Sequence, residues 1–402
     1  MPTPATLQER PLIKTEADLR ALCDDLRAAG RFALDTEFLG ERTYVPRLCL
    51  IQVATQEFIA LVDTIAVPRL QPFWDLVCDP GIEKVLHAVR EDLRLAYYGG
   101  GRALPRRVFD TQIAAGFVGL PQYPLSYARL TEALMGVRLG KGETRSEWDR
   151  RPLTPEQVQY ARDDVRYLLP LADKLAGALA HLGRTEWMQE EMARYSTPGV
   201  YEPDPDLAYL RLRGAKSGLT RRPTALLRAI TAWREREAAA RDVPARNILR
   251  DESLIELALR PPRRLSDFVR LRGFPPGEEV SLGPGLLEAL DAGRAVPDDA
   301  LPAPLVGGDD ETPRERAVAD LLYAVGGALC LTRSLAPELV LTKADTLSLV
   351  RARSSETNPL LLGWRRAALG AELQSLARGE ASALIRILPD GPHVALQQKG
   401  AG

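Results

Sequence analysis

Residues 32–38 read Phe-Ala-Leu-Asp35-Thr36-Glu37-Phe38, an apolar run that ends in two carboxylates two positions apart. Alternate side chains of a strand project to one face, so Asp35 and Glu37 present their oxygens together at the strand's end. That arrangement suits a metal ion. It also suits the solvated face of a half-buried strand, because Arg31, Ala33, Asp35 and Glu37 share one parity. Acidic residues further along the chain decide between the two.

Around this run the chain alternates strand and helix signals. Arg31–Phe38, Leu48–Ala54 and Phe58–Val62 are short β-rich runs, and Leu70–Cys78 and Val89–Tyr98 have helical spacing, so the first half reads as an α/β domain. Thr154-Pro155-Glu156-Gln157 carries an N-cap, a first-turn proline and a capping box, and predicts one long helix through Tyr160 and Asp164 towards Leu175. The Pro-rich, acidic stretch Tyr201–Asp206 reads as a linker. Pro223–Arg241 and Asp251–Leu259 are amphipathic helices, a second linker runs through Ala300–Pro304 and Gly307–Asp310, and a last helical block is expected from about 313 to 387, with a disordered tail from 389 to 402.

With 402 residues, 45% hydrophobic and 27% charged, the chain has material for two or three domains. The net charge of −1 hides a basic stretch at Arg211, Arg213, Lys216, Arg221, Arg222 and Arg228, so local patches say more about partners than the total. No apolar stretch is long enough to cross a bilayer and no leader pattern is present, which predicts a cytoplasmic protein without a membrane partner. Cys23, Cys49, Cys78 and Cys330 are scattered and there are three histidines, so neither a disulfide framework nor a zinc site is indicated. A metal here sits among oxygens, which favours Mg²⁺ or Mn²⁺.

Two further segments supply those oxygens. In Lys84-Val-Leu-His87-Ala-Val-Arg-Glu-Asp92, a short strand leads into a helix, and Asp92 falls on its first turns, where the helix dipole favours a carboxylate. In Tyr160-Ala-Arg-Asp163-Asp164, Tyr160 and Asp164 lie four apart and share a helix face, although spacing alone does not choose between Asp163 and Asp164. His87 at a strand end is commonly a structural group, and Asp110 before Thr111 reads as a helix cap.

An Asp-x-Glu on an early strand, an Asp on a helix some fifty residues on, and a Tyr-x-x-x-Asp on a late helix resemble the DEDD exonucleases of the tyrosine subclass. Ala33–Phe38, Leu50-Ile-Gln52, Leu86-His87-Ala, Glu91-Asp92-Leu, Phe109-Asp110-Thr-Gln112, Tyr167-Leu-Leu-Pro170 and the loop Lys141–Trp148 look like the ribonuclease D family over about residues 10–200. Leu227–Glu235, Arg241–Pro244 and Ile248–Asp251 resemble an HRDC domain, and 313–387 looks like a second, degenerate copy with Leu335–Leu339 as its best fragment. The resemblance implies an α/β ribonuclease H-like exonuclease domain, a mixed sheet flanked by helices, over 1–203. Two small all-α HRDC-like domains over 204–298 and 299–388 would follow. It further implies a metal-dependent 3′→5′ exoribonuclease that trims tRNA precursors and other structured RNA 3′ ends to 5′-mononucleotides as a monomer without a nucleotide cofactor. Gly136–Lys141 is one residue short of a phosphate loop, in keeping with that. Two Mg²⁺ or Mn²⁺ would be held by Asp35, Glu37, Asp92 and Asp164, with Tyr160 orienting water and Phe38, His87, Lys141 and Arg145 near the RNA. The rivals are a DNA-directed 3′→5′ exonuclease and an inactive RNA-binding scaffold. The complete set of four acids and Tyr160 speaks against the scaffold.

Overall fold

The computed structural model describes residues 7–40, 42–120, 122–140, 147–202, 204–212, 214, 218–269, 271, 273–305, 312–352, 357–389 and 391–398. The chain forms two compact units: residues 1–37, 48–197 and 312–402 make one, and 38–47 with 198–311 make the other.

In chain order the first unit begins with β1 (Gln8–Glu9), α1 (Glu16–Ala29), β2 (Arg31–Leu39), β3 (Arg47–Ala54), β4 (Phe58–Asp63), α2 (Gln71–Cys78), β5 (Glu83–Leu86), α3 (Arg90–Gly99), β6 (Val108–Asp110), α4 (Thr111–Phe117), α5 (Tyr127–Met135), α6 (Pro155–Arg166), α7 (Leu168–His181) and α8 (Thr185–Ala193). The sheet order is β1-β4-β3-β2-β5-β6, with β3 antiparallel to β4 and β5 parallel to both β2 and β6. This is the expected mixed sheet, and the acidic strand β2 lies inside it. Alternation sorts its side chains to two sides. Phe32 meets Phe73 of α2, ring centroids 6.1 Å apart, on one face. Ala33, Ala54, Ile59 and Val85 pack on the other against Val165, Leu168, Leu169 and Ala172 of α6 and α7. Each such fully buried large side chain stabilises the fold by about 1.5–3 kcal/mol.

The long helix expected from Thr154 to Leu175 is two helices. The Thr154–Gln157 capping box opens α6 as predicted, but the chain breaks at Tyr167. A proline at 170 inside a continuous helix would clash with the carbonyl of Arg166, whereas the break puts it in the first turn of α7.

The second unit holds α9 (Arg221–Arg241), α10 (Ala245–Ile248), α11 (Asp251–Leu259), α12 (Leu265–Phe268) and α13 (Glu279–Arg294). Leu227, Ile230, Leu254, Phe268, Leu286 and Leu290 form its core. Arg234, 5% exposed, bridges the Leu249 carbonyl (3.1 Å) and Asp251 (2.8 Å). A Cβ on Gly285 would stand 2.4 Å from the Trp233 indole nitrogen, so glycine there lets α9 and α13 close.

The C-terminal block departs from expectation twice. It comprises α14 (Pro313–Thr332), α15 (Pro337–Val340), α16 (Lys343–Ala352), α17 (Gly363–Arg365), α18 (Ala371–Arg378), β7 (Ala381–Leu388) and β8 (Gly391–Gln398). Of the tail expected to be disordered from 389, Gly391–Gln398 is a strand of an antiparallel hairpin, paired from Ala381↔Gln398 to Leu388↔Gly391, while 390 and 399–402 lie outside the described residues. Pro389-Asp390-Gly391 between apolar alternating runs is a turn signal, which explains the pairing. Second, the block is not a free-standing module over 299–388, because from Thr312 it belongs to the same compact unit as the sheet. The buried Arg184, ahead of α8, donates from Nη1 to the carbonyls of Phe117 and Ser334, both at 2.6 Å, and from Nη2 to that of Arg333. Buried Glu191 accepts from the Trp364 indole at 3.0 Å and from Arg365 at 2.8 Å, and the Ala336 amide donates to the Gly116 carbonyl at 2.8 Å. Charged groups this deep need all of these partners.

Candidate active site

Asp35 and Glu37 emerge on the face of β2 that α6 covers, since Ala33 of the same parity packs against Val165 and Leu168. α6 brings Asp164 across to them. One carboxylate oxygen from each of Asp35, Glu37 and Asp164 can be chosen so that all lie within 4.8 Å of one another. The Asp163/Asp164 ambiguity resolves here. Asp163 is bound outward by Arg166 (2.9 Å) and Gln159 (3.0 Å), while its carbonyl accepts from Tyr127 (2.9 Å). Arg162 and Arg166 both reach Glu9, at 2.8 and 2.6 Å, and so tie α6 to β1.

Asp92 reaches the site from the other face of β2. It is buried at the start of α3, and the Thr36 hydroxyl, between the two acids in sequence, donates to its Oδ1. Asp92 is not in the close trio, yet its charge raises the pKa of both Asp35 and Glu37. The start of α3 is set by Asp110, whose carboxylate accepts from the amides of Ala88 (3.0 Å) and Val89 (3.2 Å) while capping α4 through Gln112 (2.8 Å). Ala88 sits at φ +60°, a costly conformation for a non-glycine residue that the Asp110 bonds hold in place. The helix-cap reading of Asp110 was half of its role; neither the Thr36 nor the Ala88 contact has a sequence signal.

Among the described residues no lysine or arginine pairs with Asp35, Glu37, Asp92 or Asp164. Burial first and the neighbouring carboxylates second push Asp35 well above the usual carboxylate range and Glu37 up to about 8. Burial likewise raises Asp92 and Asp164 to about 7, against the hydrogen bonds that Thr36 and Tyr160 donate to them. Uncompensated carboxylates crowded together fit a hard divalent cation, which relieves their repulsion and asks for oxygen ligands. Tyr160 donates to Asp164, and burial and the surrounding anions raise its pKa, so its hydroxyl stays protonated at neutral pH. Its ring lies 6.1 Å from that of Trp148.

The expected RNA contacts fare differently. His87 is fully engaged: Nε2 donates to the Leu125 carbonyl (3.0 Å), Nδ1 meets the Thr111 hydroxyl (2.9 Å), and burial lowers its pKa. With both nitrogens in use and the ring neutral, His87 serves the packing between the end of β5 and the Leu125 backbone here. Phe38 is half-buried at the end of β2, within the second compact unit. Lys141 and Arg145 lie outside the described residues. No helix among the described residues is long and apolar enough to cross a membrane.

Residues 11–180 match the family model described as 3'-5' exonuclease, and residues 224–290 match the HRDC domain. Ribonuclease D of Gluconacetobacter diazotrophicus is 40% identical over 370 residues, which cover 92% of this chain and 93% of the relative. Ribonuclease D of Granulibacter bethesdensis is 36% identical over 372 residues, with 92% and 93% covered. The crystal structure of Escherichia coli RNase D, an exoribonuclease involved in structured RNA processing, superposes with a TM-score of 0.79 at 31% identity, covering 92% of this chain and 98% of that one. On these likenesses, and on an exonuclease fold whose acidic cluster suits a divalent metal, the chain belongs to the ribonuclease D family of 3′→5′ exoribonucleases.

Proposed function

We propose that this exoribonuclease trims the 3′ ends of structured RNAs, tRNA precursors foremost, releasing 5′-mononucleotides as a monomer in the cytoplasm. The observation that carries the reading is the carboxylate trio Asp35, Glu37 and Asp164 within 4.8 Å, with Asp92 behind it on Thr36 and Tyr160 donating to Asp164. Asp35, Glu37, Asp92 and Asp164 would hold a pair of Mg²⁺ or Mn²⁺ ions. Bound there, such ions supply Lewis acidity for the attacking water and the leaving 3′-oxygen. The chain's own residues do the rest. Tyr160, kept protonated, is spent as a donor on Asp164, and its oxygen lone pairs orient a water rather than deprotonate it. Asp110 and Thr36 hold Asp92 in register with β2. Lys141, Arg145 and Phe38 are proposed to grip the RNA end.

The test is a time course on a 3′-extended tRNA precursor with Mg²⁺, Mn²⁺ or chelator. Stepwise shortening with mononucleotide release in either metal, and none in chelator, is expected. Internal cleavage, or release of dinucleotides, refutes it.

A further inference from the structure

Gln52 of β3 is fully buried, and neither its Oε1 nor its Nε2 has a hydrogen-bond partner. Among the described residues no other buried side chain leaves a complete amide unpaired. A folded chain ordinarily pays such a group with partners or replaces it with an apolar one.

The register says where it points. Across β3 and β4, Gln52 stands opposite Leu61 and Ala54 opposite Ile59. Ala54 and Ile59 pack in the cluster with Ala33, Val165 and Leu168, so Gln52, two residues before Ala54, projects to the same face. Asp35, two residues after Ala33 on the adjacent strand, projects there too. The carboxamide therefore lies in the layer between the sheet and α6, the helix that brings Tyr160 and Asp164. Ala161, on the buried face of that helix, adds only a methyl group. The Trp148 indole nitrogen, near Tyr160, is a second buried donor without a partner.

We infer that Gln52 is a positioning residue of the nuclease: unpaired in this structure, its Nε2 would donate to the Asp35 carboxylate when that group ligates a metal and hold it in the orientation that ligation needs. The inference rests on the reading of Asp35 as a metal ligand. Asp35 is hemmed by three other carboxylates and is offered one backbone hydrogen bond, from Thr36. A neutral amide orients such a carboxylate without the positive charge of lysine or arginine, which would compete with the cation. Carboxylate ligands are commonly held by a hydrogen-bond donor behind them.

The experiment compares full-length Gln52→Leu, Gln52→Met and Asp35→Asn with the parent. Mn²⁺ affinity is read by electron paramagnetic resonance titration, kcat and KM on a single-stranded RNA oligomer, and the unfolding midpoint in chelator. Both Gln52 variants should bind Mn²⁺ and turn over about 10–100-fold more weakly. KM should be unchanged, and the metal-free midpoint unchanged or raised. Parent-like Mn²⁺ affinity and kcat in the Gln52 variants, with Asp35→Asn inactive, overturns the inference alone. Parent-like behaviour of Asp35→Asn overturns the underlying site. A marked fall in the metal-free midpoint of both Gln52 variants also overturns the inference, because it means the amide is already satisfied within the fold.

Discussion

In chelator, raising the pH from 6.5 to 8 should destabilise the protein. Burial and mutual repulsion hold Asp35 well above the carboxylate range, Glu37 at about 8, and Asp92 and Asp164 at about 7. The same groups ionise near pH 4 in the unfolded chain. A raised acid pKa contributes stability below the unfolded value and loses it as pH rises through the folded one, so the loss spans roughly pH 4 to 8. Below about 6.5 the lowered pKa of His87 works in the opposite direction, which leaves the upper part of the window to the carboxylates. One proton retained only by the folded state costs about 1.4 kcal/mol per pH unit. Counting one for the whole coupled set gives a loss of about 2 kcal/mol, or about 2–4 °C in midpoint for a chain of this size, over 1.5 pH units. Differential scanning calorimetry in EDTA at four pH values measures it. Saturating Mg²⁺ should raise the midpoint most at pH 8 and flatten the slope, and Asp164→Asn should flatten it without metal. A pH-independent midpoint in EDTA, or a slope that Asp164→Asn leaves unchanged, refutes the crowded-carboxylate account.

Asp35→Asn and Glu37→Gln should each lower turnover by at least about 100-fold while raising the metal-free midpoint, checked by oligomer assays and calorimetry; near-parental rates would remove the residue from the site. Tyr160→Phe should lower kcat with KM nearly kept, because an oriented water matters in the transition state, and an unchanged kcat would reduce Tyr160 to packing. Arg184→Met strands the carbonyls of Phe117, Arg333 and Ser334 and should cost about 3–5 kcal/mol in a urea titration; a loss under about 1 kcal/mol would mean the block from Thr312 does not depend on this contact. Lys141→Ala with Arg145→Ala should weaken RNA binding and flatten its salt dependence by about two phosphate contacts, and an unaltered slope would place the grip elsewhere.

The strands, the acidic set and the capping box were readable because each rests on a short-range rule: alternation for Asp35 and Glu37, a four-residue face for Tyr160 and Asp164, and Thr154 with Gln157. What escaped depends on partners far away in the chain. Nothing in the Asp35-Thr36-Glu37 run signals that Thr36 bonds Asp92, 56 residues downstream. The strand-end reading of His87 as a structural group is matched by Thr111 and Leu125 on its two nitrogens, but neither partner could be named from the sequence. Pro170 was read as compatible with a helix when its position demanded a new one, and the apolar alternation of Ala381–Leu388 was read as helical. The block after Thr312 looked autonomous because it resembles a second, degenerate HRDC copy, and nothing local announces that Arg184 and Glu191 need it.

The sheet-bearing unit is discontinuous in sequence, with the HRDC segment interrupting it and its last piece beginning at Thr312. On a ribosome adding roughly 5–20 residues each second, the carboxylates of β2, α3 and α6 emerge many seconds before the C-terminal block that supplies partners for Arg184 and Glu191. A nascent chain therefore carries its full set of acidic residues while the scaffold around them is still incomplete. The last contacts of the sheet-bearing unit therefore form only after the HRDC segment has been made, and a chain stopped before Thr312 lacks the Arg333 and Ser334 carbonyls that Arg184 binds and the Trp364 and Arg365 donors that Glu191 accepts from.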